Sequence, residues 1–286
     1  MFTNSKVYRI PFSINLSNNP SGGFRMDSMF YMCLNLTELP YIENAAPRHM
    51  SYFSASNSIQ QIPENYFDNW NWNIMKNMTT MYEGYANYLF YSCRKLRKLP
   101  LAWLANMNPQ ITEYYTYFSG SFGNCTVLDE LLELPVPYTR VWTSNVFGSF
   151  CENTYRIKNI TFASTGAKQW KNQNIDLSSN RGYGKVDIGV IGVDKRVVDD
   201  ATYSALKNDP DWWTSDVAYS RYNHDSAVAT INSLPDTSEY LATAGGTNTI
   251  KFKGAAGEKT DGGAINTLTA EEIAVAAAKG WTVTLV

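Results

Sequence analysis

The sequence has few of the residues on which most catalytic and metal sites depend. Among 286 residues there are two histidines, His49 and His224, and four cysteines. No two cysteines have the spacing of a structural zinc site, and neither histidine lies in a pattern of metal ligands. We therefore expect no metal, no cofactor and no enzymatic activity.

Charge is also sparse, because charged residues make up 17% of the chain and 24 basic residues face 26 acidic ones. This balance leaves no basic field for nucleic acid. No apolar run approaches the roughly 20 residues that cross a bilayer, so membrane insertion is not expected. A basic region followed by an apolar segment is missing at the start, which predicts synthesis in a cytoplasm.

Hydrophobic and aromatic residues are abundant, at 44% and 14% of the chain. A chain of this size can bury a core as one elongated domain or two compact ones. The large aromatic share also predicts a surface rich in uncharged, aromatic and amide groups.

The first half contains a repeat with a fixed internal spacing. An aromatic residue is followed at three-residue intervals by a small residue and two aliphatic ones. A degenerate fifth copy runs from Phe147 through Cys151 to Ile157 and Ile160. The four clear copies are Phe30, Cys33, Leu36 and Leu39; Phe53, Ser56, Ile59 and Ile62; Phe90, Cys93, Leu96 and Leu99; and Phe122, Cys125, Leu128 and Leu131.

Copies that recur every 20 to 40 residues or so are typical of solenoids, in which each coil needs its neighbours to bury an apolar face. Cys33, Cys93, Cys125 and Ser56 are then expected to form a ladder of small residues inside the stack. Two disulfides are the alternative, but synthesis in a cytoplasm favours buried free thiols.

Residues 29–40 and 89–96 resemble the BspA-like family of bacterial surface leucine-rich repeats, with a core of Met-Phe, an aromatic residue, Cys and two spaced leucines. The resemblance covers residues 24–162. It implies a curved solenoid for adhesion or recognition, and similar repeats occur in proteins encoded by phages of gut bacteria.

The second half alternates predicted helices and strands. Thr269 and Glu272 form a capping box that starts a helix ending near Gly280, and a strand follows to the C-terminus. Residues 226–234 and 249–252 repeat this order of helix and strand. Residues 233–283 also resemble the last coils of phage-encoded BspA-like proteins. Residues 185–198 read as a buried strand.

We therefore predict an α/β, strand-rich fold, a leucine-rich-repeat solenoid with irregular coils and a helix-strand cap at the C-terminus. Residues 1–23 would form an N-terminal strand or cap, residues 24–163 the BspA-like repeats, and residues 164–286 atypical repeats and the capping region.

Candidate ligand-binding residues are aromatic side chains in the insertions between repeats, where solenoids vary their recognition surface. Such rings combine a large contact area with few rotatable bonds. The alternative is that they cover the core, in which case replacing Trp70 and Trp72 with Ala would destabilise the protein rather than weaken attachment alone. The candidates are Trp70, Trp72, Tyr114, Tyr115, Tyr117, Trp142, Trp212 and Trp213.

Catalytic patterns are weaker. Asp225 follows His224 and could tune it as a base, although a loop histidine beside a helix-capping Asp is the simpler interpretation. Asp199 with Asp200, or Asp209 with Asp211, could be a glycosidase pair, but such acids in a polar stretch usually face solvent.

Three functions fit these features. The first is a virion component of a bacteriophage, a head or tail appendage that binds a host-surface glycan or protein and contacts other virion proteins, with a homo-oligomer as one option for its assembly. The second is a bacterial cell-surface adhesin, and the third is a polysaccharide-degrading enzyme.

Overall fold

A computed structural model describes most of the repeat region and most of the C-terminal third. The described residues are 2–17, 23–74, 87–101, 119–125, 128, 130–134, 147–152, 154, 157, 159–163, 169–178, 222, 224–252 and 268–286, together with the backbone of 185–187, 213–214 and 217–219. The strands are β1 (Ile14–Asn15), β2 (Phe24–Arg25), β3 (Ile42–Glu43), β4 (Pro47–His49), β5 (Glu130–Leu134), β6 (Asn159–Phe162), β7 (Asn174–Asp176), β8 (Lys185–Asp187), β9 (Trp213–Thr214), β10 (Val217–Tyr219), β11 (Asn248–Phe252) and β12 (Trp281–Leu285); the helices are α1 (His224–Ser233), α2 (Ser238–Ala244) and α3 (Ala270–Ala278).

Each repeat contains a six-residue turn with an unusual backbone, which we call the corner turn. Its first and fifth residues both have positive φ, as in Ser28 (54°) and Met32 (55°). The amide of Cys33 donates to the carbonyl of Phe30 and that of Leu36 to Cys33, so tight turns follow one another. The corner turns are residues 28–33, 52–57, 88–93 and 120–125, and a fifth begins at Ser149.

Successive corner turns stack through backbone hydrogen bonds between equivalent positions. The first amide of each turn donates to the residue just before the next turn, as Ser28 N does to Ser51 O (2.9 Å) and Tyr88 N to Ser119 O (2.8 Å). The amide of the fifth residue donates to the residue just before the fifth residue of the next turn, as Met32 N donates to Ala55 O (3.0 Å). The described repeats therefore lie one on the next, and the leucine-rich-repeat solenoid stays a prediction.

The second repeat departs from the alignment that its sequence suggested. Because its corner turn begins at Tyr52, Ser54 takes the position of Phe30, and Asn57 takes that of Cys33. Asn57 Oδ1 accepts a hydrogen bond from the Ile59 amide (3.2 Å), and this local turn shortens the link to the next aliphatic residue. The prediction that Ser56 belongs to the small-residue ladder is wrong, since Ser56 is only half-buried and Asn57 is buried instead.

The same turn also occurs at both ends of the repeat region. Near the N-terminus, Phe2 stacks on Phe30 with ring centroids 5.7 Å apart, and Asn4 has the positive φ of a fifth residue. In the last repeat Thr154 occupies the cysteine position, and its Oγ1 donates to Cys151 O (2.6 Å). The stacking thus begins within residues 1–23, which the sequence had set apart as a strand or cap.

After each corner turn the chain reaches a two-residue segment, a polar residue followed by an aliphatic one, which we call a rung. Glu130 and Leu131 pair in parallel with Asn159 and Ile160, and Gln61 bridges Lys98 in the same direction. The aliphatic residues point into the core, while the polar ones line the opposite face. The rungs are residues 9–10, 38–39, 61–62, 98–99, 130–131 and 159–160.

Strands β7, β11 and β12 form a separate parallel sheet at the C-terminal end. Helix α3 leads from β11 to β12 and packs on β12 and α1, while α1 packs on β6. Thr230 of α1 donates its hydroxyl to Ile160 O (2.6 Å), and Ser233 Oγ accepts from the amide of Phe162 (3.0 Å). Side chains of α1 therefore satisfy backbone groups at the edge of β6, which blunts that strand.

The predicted secondary structure of this end is confirmed. The predicted helix at 226–234 is α1, and the predicted strand at 249–252 is β11. Thr269 accepts from Glu272 N while the Glu272 carboxylate accepts from Thr269 N, so the capping box that starts α3 is present. Of residues 185–198, only the backbone of β8 is described, and it pairs antiparallel with β10.

One hydrophobic core runs through the repeats and the C-terminal sheet. Phe147, from the last repeat, contacts Trp170, with ring centroids 5.4 Å apart, and Trp170 in turn contacts Trp281 (6.2 Å). Of the remaining predicted ladder residues, Leu39 is half-buried and the others are buried. No helix among the described residues is long and apolar enough to cross a membrane.

Candidate binding surface

Two of the predicted ligand-binding residues lie in the core. Trp70 is 4% exposed and Trp72 is 6% exposed, and the two rings stack with centroids 5.6 Å apart. Phe53 meets Trp70 edge-on at 5.8 Å, so aromatic neighbours already occupy its surroundings. The expectation that these rings offer a face to a ligand is therefore wrong.

The other aromatic candidates lie outside the described side chains. Tyr114, Tyr115, Tyr117, Trp142 and Trp212 lie outside the described residues. Trp213 is described only as backbone, in the short strand β9. The carboxylates Asp199, Asp200, Asp209 and Asp211 also lie outside the described residues.

A different set of aromatic residues gathers on the corner turns. Tyr31, Tyr52, Tyr88 and Tyr91 come from three successive turns, and each is half-buried; we call them the tyrosine ladder. Tyr52 and Tyr88 stack with ring centroids 4.8 Å apart and planes 12° apart. Tyr31 meets Tyr52 edge-on at 5.4 Å, and Tyr91 meets Tyr88 in the same way at 5.3 Å.

The next corner turn, residues 120–125, has two glycines in contact with the rings of Tyr88 and Tyr91. A Cβ atom at Gly120 would lie 2.4 Å from the ring of Tyr88, and one at Gly123 would lie 3.0 Å from the ring of Tyr91. Gly120 and Gly123 occupy the same turn positions as Tyr88 and Tyr91, one repeat later. Two tyrosines followed by two glycines therefore let the rings lie directly on the backbone of the following turn.

The ladder includes residues that are costly in their backbone conformation. Tyr52 and Tyr88 have φ of 55° and 57°, a left-handed region that disfavours a side chain with Cβ by roughly 1–2 kcal/mol. In the turns 28–33 and 120–125 the same first position holds Ser28 and Gly120, which have smaller side chains than tyrosine. Backbone strain retained at bulky residues is a feature of functional positions.

Tyr52 is the central phenol of the ladder and contacts both Tyr31 and Tyr88. Burial raises the pKa of Tyr52, and the neighbouring phenols of Tyr88, Tyr31 and Tyr91 raise it further. Its hydroxyl therefore stays protonated at neutral pH and can both donate and accept hydrogen bonds. Half-buried rings with such hydroxyls offer apolar edges and hydrogen bonds to one ligand.

The cysteines are free and buried, as the sequence predicted. Cys93 Sγ lies 2.9 Å from Ser54 O and Cys125 Sγ lies 3.1 Å from Phe90 O, so each thiol donates to the preceding turn. Burial raises the pKa of Cys93 to about 12 and raises that of Cys125 as well. These thiols are therefore structural groups and not nucleophiles.

His224 lies at the first residue of α1 and not in a loop. Its Nε2 is 3.1 Å from Glu272 Oε2 of α3, and its Nδ1 is 3.3 Å from Asp225 Oδ1. Burial lowers its pKa, but the hydrogen bonds and charges of the two carboxylates outweigh this effect, so the pKa is raised. The contact joins two helices, and within the described ranges no group of three potential ligands could hold a metal ion.

Sequence reasoning missed the tyrosine ladder because it searched the insertions and not the repeats. The signal is present, since Tyr31 and Tyr91 each follow the repeat phenylalanine by one residue, and Tyr88 precedes it by two. The same offsets reach Gly120 and Gly123. Recognising them requires the knowledge that these positions point out of the turn while the phenylalanine points in.

Comparisons with known proteins add no family to this description. A scan against protein-family models found no match, and searches of curated proteins and of solved structures found none either.

Proposed function

We propose that this protein is a non-enzymatic recognition and structural protein that binds a host-surface glycan or protein through the tyrosine ladder. The observation that carries the proposal is the retention of Tyr52 and Tyr88 at positive φ, where other turns use smaller residues. Their stacking offsets part of that backbone cost, since aromatic pairs contribute roughly 0.5–1.5 kcal/mol beyond burial.

The stacked repeats are the scaffold in this proposal, and they belong to a leucine-rich-repeat solenoid of the BspA-like kind. Each repeat adds one turn to a continuous face, so aromatic groups at fixed turn positions form a row. A row of this kind matches an extended ligand better than a compact one.

The place of action that we propose is the virion surface of a bacteriophage, in a head or tail appendage. This part rests on the resemblance of the repeats and of the C-terminal coils to phage-encoded proteins. Electron microscopy of the source particle with an antibody against the chain would test it, and labelling of a bacterial cell surface instead would favour the adhesin.

Binding by the ladder is tested with a double variant, Tyr88→Ala with Tyr91→Ala, on an array of bacterial surface polysaccharides and on whole bacteria. We expect at least a tenfold loss of affinity, about 1.4 kcal/mol, because two ring contacts are removed. Tyr8→Ala is the matched control, since Tyr8 is 69% exposed and lies outside the ladder.

Wild-type affinity in the double variant, with its thermal transition intact, would refute the ladder as the binding surface. The same polysaccharides are assayed for new reducing ends after incubation. Reproducible release would refute the non-enzymatic part of the proposal and favour a polysaccharide-degrading enzyme.

A further inference from the structure

A cleft of about 670 Å³ opens beside the third and fourth clear repeats, on the face of the polar rung residues. Lys98 and Glu130, from two of the rungs, line it together with Gln61, Arg97 and Glu133. This volume falls within the range of about 300–1,000 Å³ that is usual for ligand sites. The cleft is separate from the tyrosine ladder, which lies on the corner turns.

Lys98 and Glu130 carry opposite charges, and both line the cleft without an ion pair between them. On two other pairs of neighbouring rungs the polar residues contact each other directly, as Arg9 does Glu38 and Asn159 does Glu130. Lys98 instead pairs with Glu64 (2.8 Å), and no ion pair joins it to Glu130. The pair of Lys98 with Glu64 is strongly exposed and contributes little to stability, so Lys98 can exchange it for a carboxylate of a ligand.

The floor of the cleft is apolar. Leu99 and Leu101 line it from one side and Leu132 from the other, and Leu132 is 47% exposed to solvent. No aromatic ring is among the described residues that line it. A sugar-binding cleft normally offers a ring for stacking, so this lining suits a peptide better than a glycan.

We propose that this cleft is a second binding site, which takes an extended peptide segment with an apolar side chain between an acidic and a basic residue. The apolar side chain fills the space between Leu101 and Leu132. The acidic residue faces Lys98 and the basic residue faces Glu130 and Glu133. An extended segment suits the site because parallel rungs flank it on both sides, as a sheet edge does in recognition by added strands.

The test selects random short peptides, displayed on a carrier, against the full chain and measures the synthesised best binders by titration. We expect the enriched sequences to contain an apolar residue flanked by opposite charges. Leu132→Glu and Lys98→Glu should each weaken binding about tenfold or more, as the loss of a central contact does. Lys98 and Glu64 are 68% and 79% exposed, so the loss of their pair leaves the fold intact.

Two controls make the result specific. Lys6→Glu changes net charge equally at another exposed position, and Val275→Glu places the same charge on an exposed apolar residue of α3; both should bind as the wild type does. The double variant Lys98→Glu with Glu130→Lys should select peptides in which the order of the charges is reversed.

Failure to enrich any peptide above an unrelated carrier protein would overturn the proposal, as would peptides whose affinity ignores Lys98→Glu and Leu132→Glu. The ladder variant Tyr88→Ala with Tyr91→Ala should bind the selected peptides normally. Its result therefore separates a failure of the cleft from a failure of the ladder.

Discussion

Trp70 and Trp72 pack on each other within a cluster that includes Phe53 and Phe67. The two indoles differ in their polar atoms, because Trp72 Nε1 donates to Phe67 O (3.3 Å) whereas Trp70 Nε1 is buried without a partner. Their position explains why rings in an asparagine-rich segment contribute to stability and not to a binding surface.

Replacing either tryptophan with Ala should lower the free energy of unfolding by roughly 3–5 kcal/mol, because a large buried ring is lost and a cavity remains. Urea denaturation followed by circular dichroism measures the change. Trp70→Phe and Trp72→Phe form a matched pair, in which only the second loses a hydrogen bond, so it should be the less stable by about 1 kcal/mol. Alanine variants with the same melting temperature as the wild type would contradict the burial of these two rings.

The order of residues around Trp70 and Trp72 indicates their burial, although the composition of the segment does not. In the run from Asn69 to Asn73 the asparagines are exposed and the tryptophans are buried, an alternation with a period of two residues. Asparagine content suggested a loop, while the alternation indicates one side turned inward. The repeat phenylalanines and leucines were predictable because their spacing recurs, whereas the spacing of Trp70 and Trp72 from the repeat phenylalanine does not recur in the sequence of the other copies.

Helix α1 covers the edge of β6 through Thr230. The Thr230 hydroxyl lies 2.6 Å from both Ile160 O and Tyr222 Oη, and it is fully buried. This single side chain therefore connects a helix, a strand of the last repeat and a core tyrosine.

Thr230→Val keeps the shape of the side chain but removes the hydroxyl from both of these buried partners. We expect a loss of roughly 1–3 kcal/mol in the free energy of unfolding, the cost of buried polar groups that lose a hydrogen bond. Thr243→Val in α2 is the control, because Thr243 is exposed and bonds only to Glu239 O of its own helix (3.2 Å). Equal effects of the two substitutions would mean that α1 does not protect the edge of β6.

At the scale of elements, local sequence signals predict where the helices form but not which strands they pack against. Thr269 and Glu272 predict the start of α3 because the capping box lies within four residues. The contact of Thr230 with Ile160 spans 70 residues and leaves no local mark. The shifted second repeat was missed for a related reason. Its register is set by backbone hydrogen bonds that Ser51 O accepts from Ser28 N and Asn87 O accepts from Tyr52 N, and not by its own spacing.

Across the whole molecule, the repeats and the C-terminal sheet share one core, and the chain's two histidines are His49 in β4 and His224 at the start of α1. Burial lowers the pKa of His49, with Arg25 and Arg48 adding to this effect and Asp27 opposing it. The pKa of His224 is raised, because Asp225 and Glu272 outweigh its burial. The two histidines therefore contribute to stability with opposite dependence on pH.

The signs follow from linkage between protonation and folding. His49 contributes fully above the ordinary histidine pKa of about 6.5, and its contribution is lost as the pH falls through its lowered value. His224 contributes fully below about 6.5, and its contribution is lost as the pH rises through its raised value. The free-energy difference between the wild type and His224→Gln should therefore shrink as the pH rises from slightly acidic to slightly basic, in urea titrations at each pH. The corresponding difference for His49→Gln should grow over the same range. If the His49 variant does not fold, the comparison of the wild type with His224→Gln still tests the sign for His224. A free-energy difference between those two proteins that stays constant with pH would contradict the contact between α1 and α3.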